Sequence, residues 1–158
     1  MAWRADMIDR EKHLGVESEP RVIEVERGFL KFFAKATGQS DPVYFDEAAA
    51  RAAGHPDLPV PPTYLFSMSI NPRPKRGDIF DKQDGLGIEM SRVLHGEQQF
   101  AYHRQIFAGE RITLRQTTSD IYDKRGGTLE FVVHDTRFEN AEGELCAEMR
   151  VVTVVRNG

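Results

Sequence analysis

Gly38-Gln39-Ser40-Asp41-Pro42-Val43-Tyr44-Phe45-Asp46 joins two helical patterns through a turn whose ends the sequence itself marks. Upstream, a short strand over Arg21-Val22-Ile23-Glu24-Val25 leads into a helix on which Val25, Phe29, Phe32, Phe33 and Ala36 share one face. Gly38 supplies a left-handed stop for that helix. Downstream, Asp46 is placed to N-cap a second helix, Glu47 to Ala53, whose Ala-rich surface suits close packing and which ends at Gly54.

Leu58-Pro59-Val60-Pro61-Pro62-Thr63 reads as stiff and extended, with Pro62 suited to the first turn of a following helix, where its missing N–H costs nothing. That helix runs from Thr63 to about Ile70 and carries Tyr64, Leu65, Phe66, Met68 and Ile70. An all-round apolar helix must be surrounded. Asn71 to Gly87, with Pro72, Pro74, Gly77, Gly85 and Gly87, reads as a long loop. From Ile88 onward the pattern is of strands, with hairpins expected at Ala108-Gly109-Glu110, Lys124-Arg125-Gly126-Gly127 and Asn140-Ala141-Glu142-Gly143. Leu129, Phe131 and Val133, then Leu145, Ala147, Met149 and Val151, alternate as the inward sides of antiparallel strands should. Helices followed by long antiparallel strands give an α+β domain whose sheet curls around a central helix.

The 158 residues fit one domain, read as 21–158, preceded by an N-terminal arm over 1–20. The arm carries Trp3 and Met7 with little periodicity, as an irregular segment or short helix docking on the body or on a neighbouring subunit. At 40% hydrophobic and 29% charged the composition is that of a soluble globular protein, with no apolar run long enough for a membrane span. The first twenty residues are charged and mixed rather than a secretory core, which points to the cytoplasm. A net charge of -4 argues against general nucleic-acid binding. Cys146, the one cysteine, excludes an internal disulfide and reads as a small core or interface residue.

Four segments, in this order and spacing, resemble the MaoC-like hydratases and dehydratases, especially the branch called FAS1-like dehydratases. They are Asp41-Pro42-Val43-Tyr44-Phe45-Asp46 with its Ala-rich helix, Pro61-Pro62-Thr63-Tyr64, Leu94-His95-Gly96-Glu97-Gln98 and Ala108-Gly109-Glu110. The resemblance spans about Val22 to Val155 and implies a single hot-dog domain. It implies handling of acyl thioesters, with coenzyme A or a carrier-protein phosphopantetheine arm as part of the substrate and neither metal nor redox cofactor. In the active relatives the first segment reads D-x-N-P-x-H, and its Asp and His act on a hydroxyl or water.

Here those two positions hold Gln39 and Tyr44. Hydration of an enoyl thioester needs a base for water and an acid for the α-carbon. An amide does not titrate near neutrality, and a phenol with a pKa of about 10 is a poor base. The relatives also polarise the thioester carbonyl with a backbone N–H at the start of the central helix, often at a Gly; the matching stretch here is Pro62 to Thr63, and proline has no N–H. By resemblance the chain is similar to the non-catalytic subunits of heterodimeric (3R)-hydroxyacyl-carrier-protein dehydratases. Its expected role is acyl-chain binding within a second-subunit assembly, through Pro62, Thr63, Tyr64 and Phe66; a tunnel lined by Phe66, Met68, Phe80 or Tyr102 suits that role, the alternative and commoner place for such residues being a packed core.

Two other readings use different residues. His95 and Glu97, two apart on a strand, share a face, and Glu97 would raise the basicity of His95 and make an active homodimeric hydratase; the alternative is a hydrogen-bonded histidine beside Gly96. A thioesterase-like hot-dog protein would need Asp41, Asp46 or Glu47 directed into the cleft. Arg73, Lys75 and Arg76 suit the phosphates of coenzyme A or of a carrier arm. His103 reads as exposed and His134 as lying on the solvated face of its strand, while His13 and His55 fall in poorly patterned regions. No metal-ligand spacing occurs among them.

Overall fold

The structure, a computed structural model, describes residues 7–71 and 76–157. Helices α1 Arg10–His13, α2 Arg27–Ala36, α3 Glu47–Ala52 and α4 Tyr64–Ile70 combine with strands β1 Arg21–Glu24, β2 Val93–Tyr102, β3 Arg111–Lys124, β4 Leu129–Glu139 and β5 Leu145–Arg156. The strands form one antiparallel sheet in the order β1-β3-β4-β5-β2. This is the expected α+β architecture, with α4 laid along the sheet's inner face. Leu65 and Met68 of α4 are buried against Ile112, Leu114, Phe138, Ala147 and Met149. Each such side chain contributes about 1.5–3 kcal/mol through the water it sheds.

Several local expectations are corrected. The buried stripe of α2 is Leu30 and Ala34, with Phe33 half-buried edge-on to Tyr64, whereas Phe32 is 73% exposed and Phe29 also faces solvent. The helix starts at Arg27 rather than Val25, so the i, i+3, i+4 stripe passes through Leu30. Ile70, at the end of α4, is half-exposed.

Residues 103–110 are not a hairpin. Strand β2 pairs with β5, so this segment crosses from the β2 edge past β5 and β4 to reach β3, which lies between β1 and β4. On the way Val60 donates to the Ile106 carbonyl and Ala108 to that of Leu58, both at 2.9 Å. The inward set of β4 is also reversed: Glu130, Val132, His134, Thr136 and Phe138 are the buried inner series, and Phe131 lies outside, stacked on Tyr122. Polar residues in the inner series hid it from a pattern based on apolar alternation.

The arm prolongs the β1 edge. Gly15 donates to the Thr118 carbonyl at 2.8 Å, Thr118 to that of Val16 at 3.0 Å, and Ser18 to that of Gln116 at 2.8 Å. The carboxylate of buried Glu130 then ties both ends of the chain, accepting from the Ile8 amide at 3.0 Å and from the Asn157 carboxamide at 2.6 Å. Trp3, the other arm residue singled out, lies outside the described residues. At the opposite side of the sheet, no described strand pairs with the outer edge of β2.

Candidate functional site

A cleft of about 1130 Å³ opens on the inner face of the sheet, between the C-terminal half of α4, the arm and the loop over 76–86. Its walls are apolar, with Phe66, Ile70, Phe80, Leu86 and Val151 among them. Its floor is polar. The ladder places Thr118 opposite His134, His134 opposite Val151, Thr136 opposite Met149 and Thr153 opposite Val132. His134 is only 7% exposed, and burial pushes its imidazolium down to about 4, with Asp135 on the other face a weaker opposing influence. It is neutral at physiological pH, with one nitrogen donating and the other accepting. Further along the same inner face, Gln98 opposite Val151 has both carboxamide atoms buried and without a hydrogen-bond partner among the described residues.

The D-x-N-P-x-H counterpart is built locally and stands apart from this cleft. Gly38, at φ 74°, ends α2, and the Gln39 amide donates to the Ala34 carbonyl at 2.9 Å. Asp41 accepts from the Val43 amide at 3.0 Å and caps a 3-10 turn over Pro42–Tyr44; Asp46 caps α3 through the Ala49 amide at 2.8 Å. Glu47 faces Arg27 at 3.6 Å and Lys31 at 3.7 Å. Capping and ion pairing occupy the three carboxylates that a thioesterase-like reading would direct into the cleft. Gln39, Tyr44, Pro62, Thr63 and Tyr64 are not cleft-lining residues.

A smaller recess of about 370 Å³ lies at the start of α4, lined by Val60, Pro62, Leu65, Tyr102, Gln105 and Ile106. Thr63 precedes the helix in the left-handed conformation, at φ 70° and ψ -9°, and donates its backbone N–H to the Tyr102 hydroxyl at 3.1 Å. The N–H expected to meet a thioester carbonyl is therefore already engaged. Burial raises the Tyr64 phenol above its ordinary value, and Glu26 adds to the effect.

The expected pairing of His95 with Glu97 does not form. A bulge at Gly96 sets His95 opposite Thr153 and Glu97 opposite Val152, so the two side chains leave opposite faces of the sheet. Only glycine fits there: a Cβ at Gly96 would lie 2.8 Å from Val154 Cγ2 and 2.9 Å from the Val152 carbonyl oxygen. His95 lines the cleft and meets Phe66 edge-on at 4.9 Å.

Of the loop cations, Arg76 borders the cleft and pairs with Asp84 at 3.4 Å, while Arg73 and Lys75 lie outside the described residues. Of the four residues open to either a tunnel or a core reading, Phe66 and Phe80 line the cleft, Met68 is core and Tyr102 stands at the other recess. His103 is exposed and meets Glu148 at 3.0 Å, and Cys146 is fully buried. Among the described residues no cluster of His, Cys, Asp or Glu is arranged to hold a metal ion, and no helix is long and apolar enough to cross a membrane. Sequence reasoning missed Thr118, Thr136 and Thr153 and set His134 on the solvated face of its strand, whereas it is buried on the inner face. The signal for them was present as polar residues at alternate positions of strands otherwise read by their apolar members.

Residues 12–149 match the family described as FAS1-like, dehydratase domain region. The UPF0336 protein of Streptomyces coelicolor is 38% identical over 120 residues, which is 74% of this chain and 77% of that protein. The C-terminally truncated HadBC (3R-hydroxyacyl-ACP dehydratase) complex of Mycobacterium tuberculosis matches with a TM-score of 0.69 and 24% identity, over 89% of this chain and 96% of the other. The MaoC-like dehydratase of Rhodospirillum rubrum matches at 0.69 and 16% identity, over 96% and 98%.

Proposed function

The chain belongs to the FAS1-like dehydratase region family, with the MaoC-like hot-dog fold, and from that membership we propose that it is the acyl-thioester-binding half of a two-subunit hydratase or dehydratase. Its partner, a second hot-dog subunit, supplies the catalytic Asp and His. The assembly hydrates a trans-2-enoyl thioester or dehydrates a 3-hydroxyacyl thioester, and this chain holds the acyl group in the cleft beside Phe66 and Phe80.

The observation that carries this reading is the hydrogen bond from the Thr63 amide to the Tyr102 hydroxyl. It engages the backbone N–H at the position expected to polarise a carbonyl, next to a motif in which Gln39 and Tyr44 replace both proton carriers. The unpaired edge of β2 supports a partner, because a long strand with one free side is completed by another strand. Arg76 at the cleft border gives a cation for the phosphates of the carrier group, with Arg73 and Lys75 proposed beside it.

The test is hydration of crotonyl-CoA by the purified chain, alone and after mixing with a hot-dog chain carrying an intact D-x-N-P-x-H. Turnover only in the mixture supports the reading. Turnover by the chain alone, lost in His95→Ala, would establish instead an active hydratase built around His95.

A further inference from the structure

The polar floor of the cleft is not explained by a role in holding a plain hydrocarbon chain. Thr118 is 8% exposed, His134 7%, Thr136 2% and Thr153 7%. All four line the cleft, and no side-chain hydrogen bond to another described residue satisfies them; the polar atoms sealed from solvent without a partner among the described residues are those of Gln98, so the three hydroxyls and the imidazole open into the cleft itself. Four such groups side by side in an otherwise apolar-walled cleft, satisfied by no partner among the described residues, mark a place where a ligand's own polar group completes them. The strand registers set Thr118 and His134 directly opposite each other, and Thr136 two residues along β4 from His134 on the same face.

We infer that the cleft selects acyl thioesters whose chain carries, well beyond the reacting carbons next to the thioester, a neutral oxygen function, a hydroxyl or a keto group, lodged over His134, Thr118 and Thr136. The inference rests on the acyl-thioester reading above and deepens it to a substrate class. Threonine hydroxyls and a neutral imidazole each both donate and accept, which suits a hydroxyl or carbonyl oxygen. An alkyl chain in the same place would cover these groups without pairing them, and sites built to pair an oxygen discriminate strongly against the analogue lacking it. Burial keeps His134 uncharged, so the floor itself offers no cation to an anionic group. The Arg21 guanidinium, which donates to the Ser69 carbonyl at 2.5 Å, does border the cleft, so a carboxylated chain is the necessary competitor.

The test is calorimetric binding of the whole chain to dodecanoyl-CoA, to its singly hydroxylated isomers from mid-chain to the terminal carbon, and to dodecanedioyl-CoA. At least one hydroxylated isomer is expected to bind about tenfold tighter than dodecanoyl-CoA, roughly the effect of one good hydrogen bond. His134→Phe should bring the ratio of hydroxylated to plain-chain affinity down to about one, whatever its effect on either affinity alone. Thr136→Val, a near-isosteric change, serves the same purpose should the first variant not fold. Equal binding of plain and hydroxylated chains, or strongest binding of the carboxylated one, overturns the inference and leaves the acyl-thioester reading standing. Failure of every thioester to bind overturns both.

Discussion

The backbone N–H of Thr63 and the phenol of Tyr102 are joined at 3.1 Å, tying the start of α4 to the last residue of the edge strand β2. The bond holds a non-glycine residue in left-handed backbone at the point where the helix begins.

Tyr102→Phe should free that donor. Tyr102 is more than half exposed, so water takes its place and the loss of stability should be at most about 1 kcal/mol in urea unfolding. The variant alone should still fail to hydrate crotonyl-CoA, because Gln39 and Tyr44 are unchanged. Turnover by this single variant would show that the blocked amide, rather than the missing proton carriers, silences the site.

Thr63→Gly should relieve the left-handed strain and raise stability by up to about 1 kcal/mol, the glycine's greater freedom in the unfolded chain offsetting part of the gain. The denaturant midpoint measures it. A lower midpoint would mean that the threonine side chain contributes packing that outweighs its backbone cost.

His134 predicts an acid-sensitive fold. Its folded pKa, about 4, lies below the ordinary value of 6.5, so between these limits the unfolded chain binds a proton that the folded chain does not. Stability should therefore fall as pH drops from about 6.5 to 4, by up to about 3 kcal/mol at roughly 1.4 kcal/mol per unit. The Arg150 guanidinium holds the Asp135 carboxyl, and that of Arg27 the Asp57 carboxyl, below the usual carboxylate value, so their losses come lower on the pH scale. Urea midpoints across this range should be flatter in His134→Phe than in the wild type.

Gly96→Ala should be among the more damaging single-methyl additions, costing about 1–3 kcal/mol, since the added carbon meets the Val152 carbonyl oxygen at 2.9 Å and the backbone must move. Thermal unfolding reads the cost directly. A neutral result would show that the bulge slides along β2, and with it the position of His95.

The architecture was legible because its signals are local: Gly38, Asp46 and the two prolines before α4 punctuate the chain whatever the tertiary context. The site was less so. His95 and Glu97 share a face only on a regular strand, and the bulge that separates them depends on Gly96 approaching β5, a contact between residues far apart in sequence. The floor of the cleft was hidden for the opposite reason. In β4 the apolar residues Leu129, Phe131 and Val133 alternate correctly but on the outer face, while the inner face mixes Val132 and Phe138 with Glu130, His134 and Thr136. A hydrophobic period identifies a strand without saying which side is in. The crossing over 103–110 was read as a turn because Gly109 punctuates it, although partner choice among strands lies beyond any local window.

One side of the sheet is sealed by the arm running beside β3, whereas the ten residues of β2 leave their outward amides and carbonyls to solvent. A ribbon with one open border can seed irregular association when it outnumbers whatever completes it. Under the two-subunit proposal, synthesis of this polypeptide should thus be matched in amount to that of its companion, and a surplus should precipitate or be degraded rather than persist as free subunit.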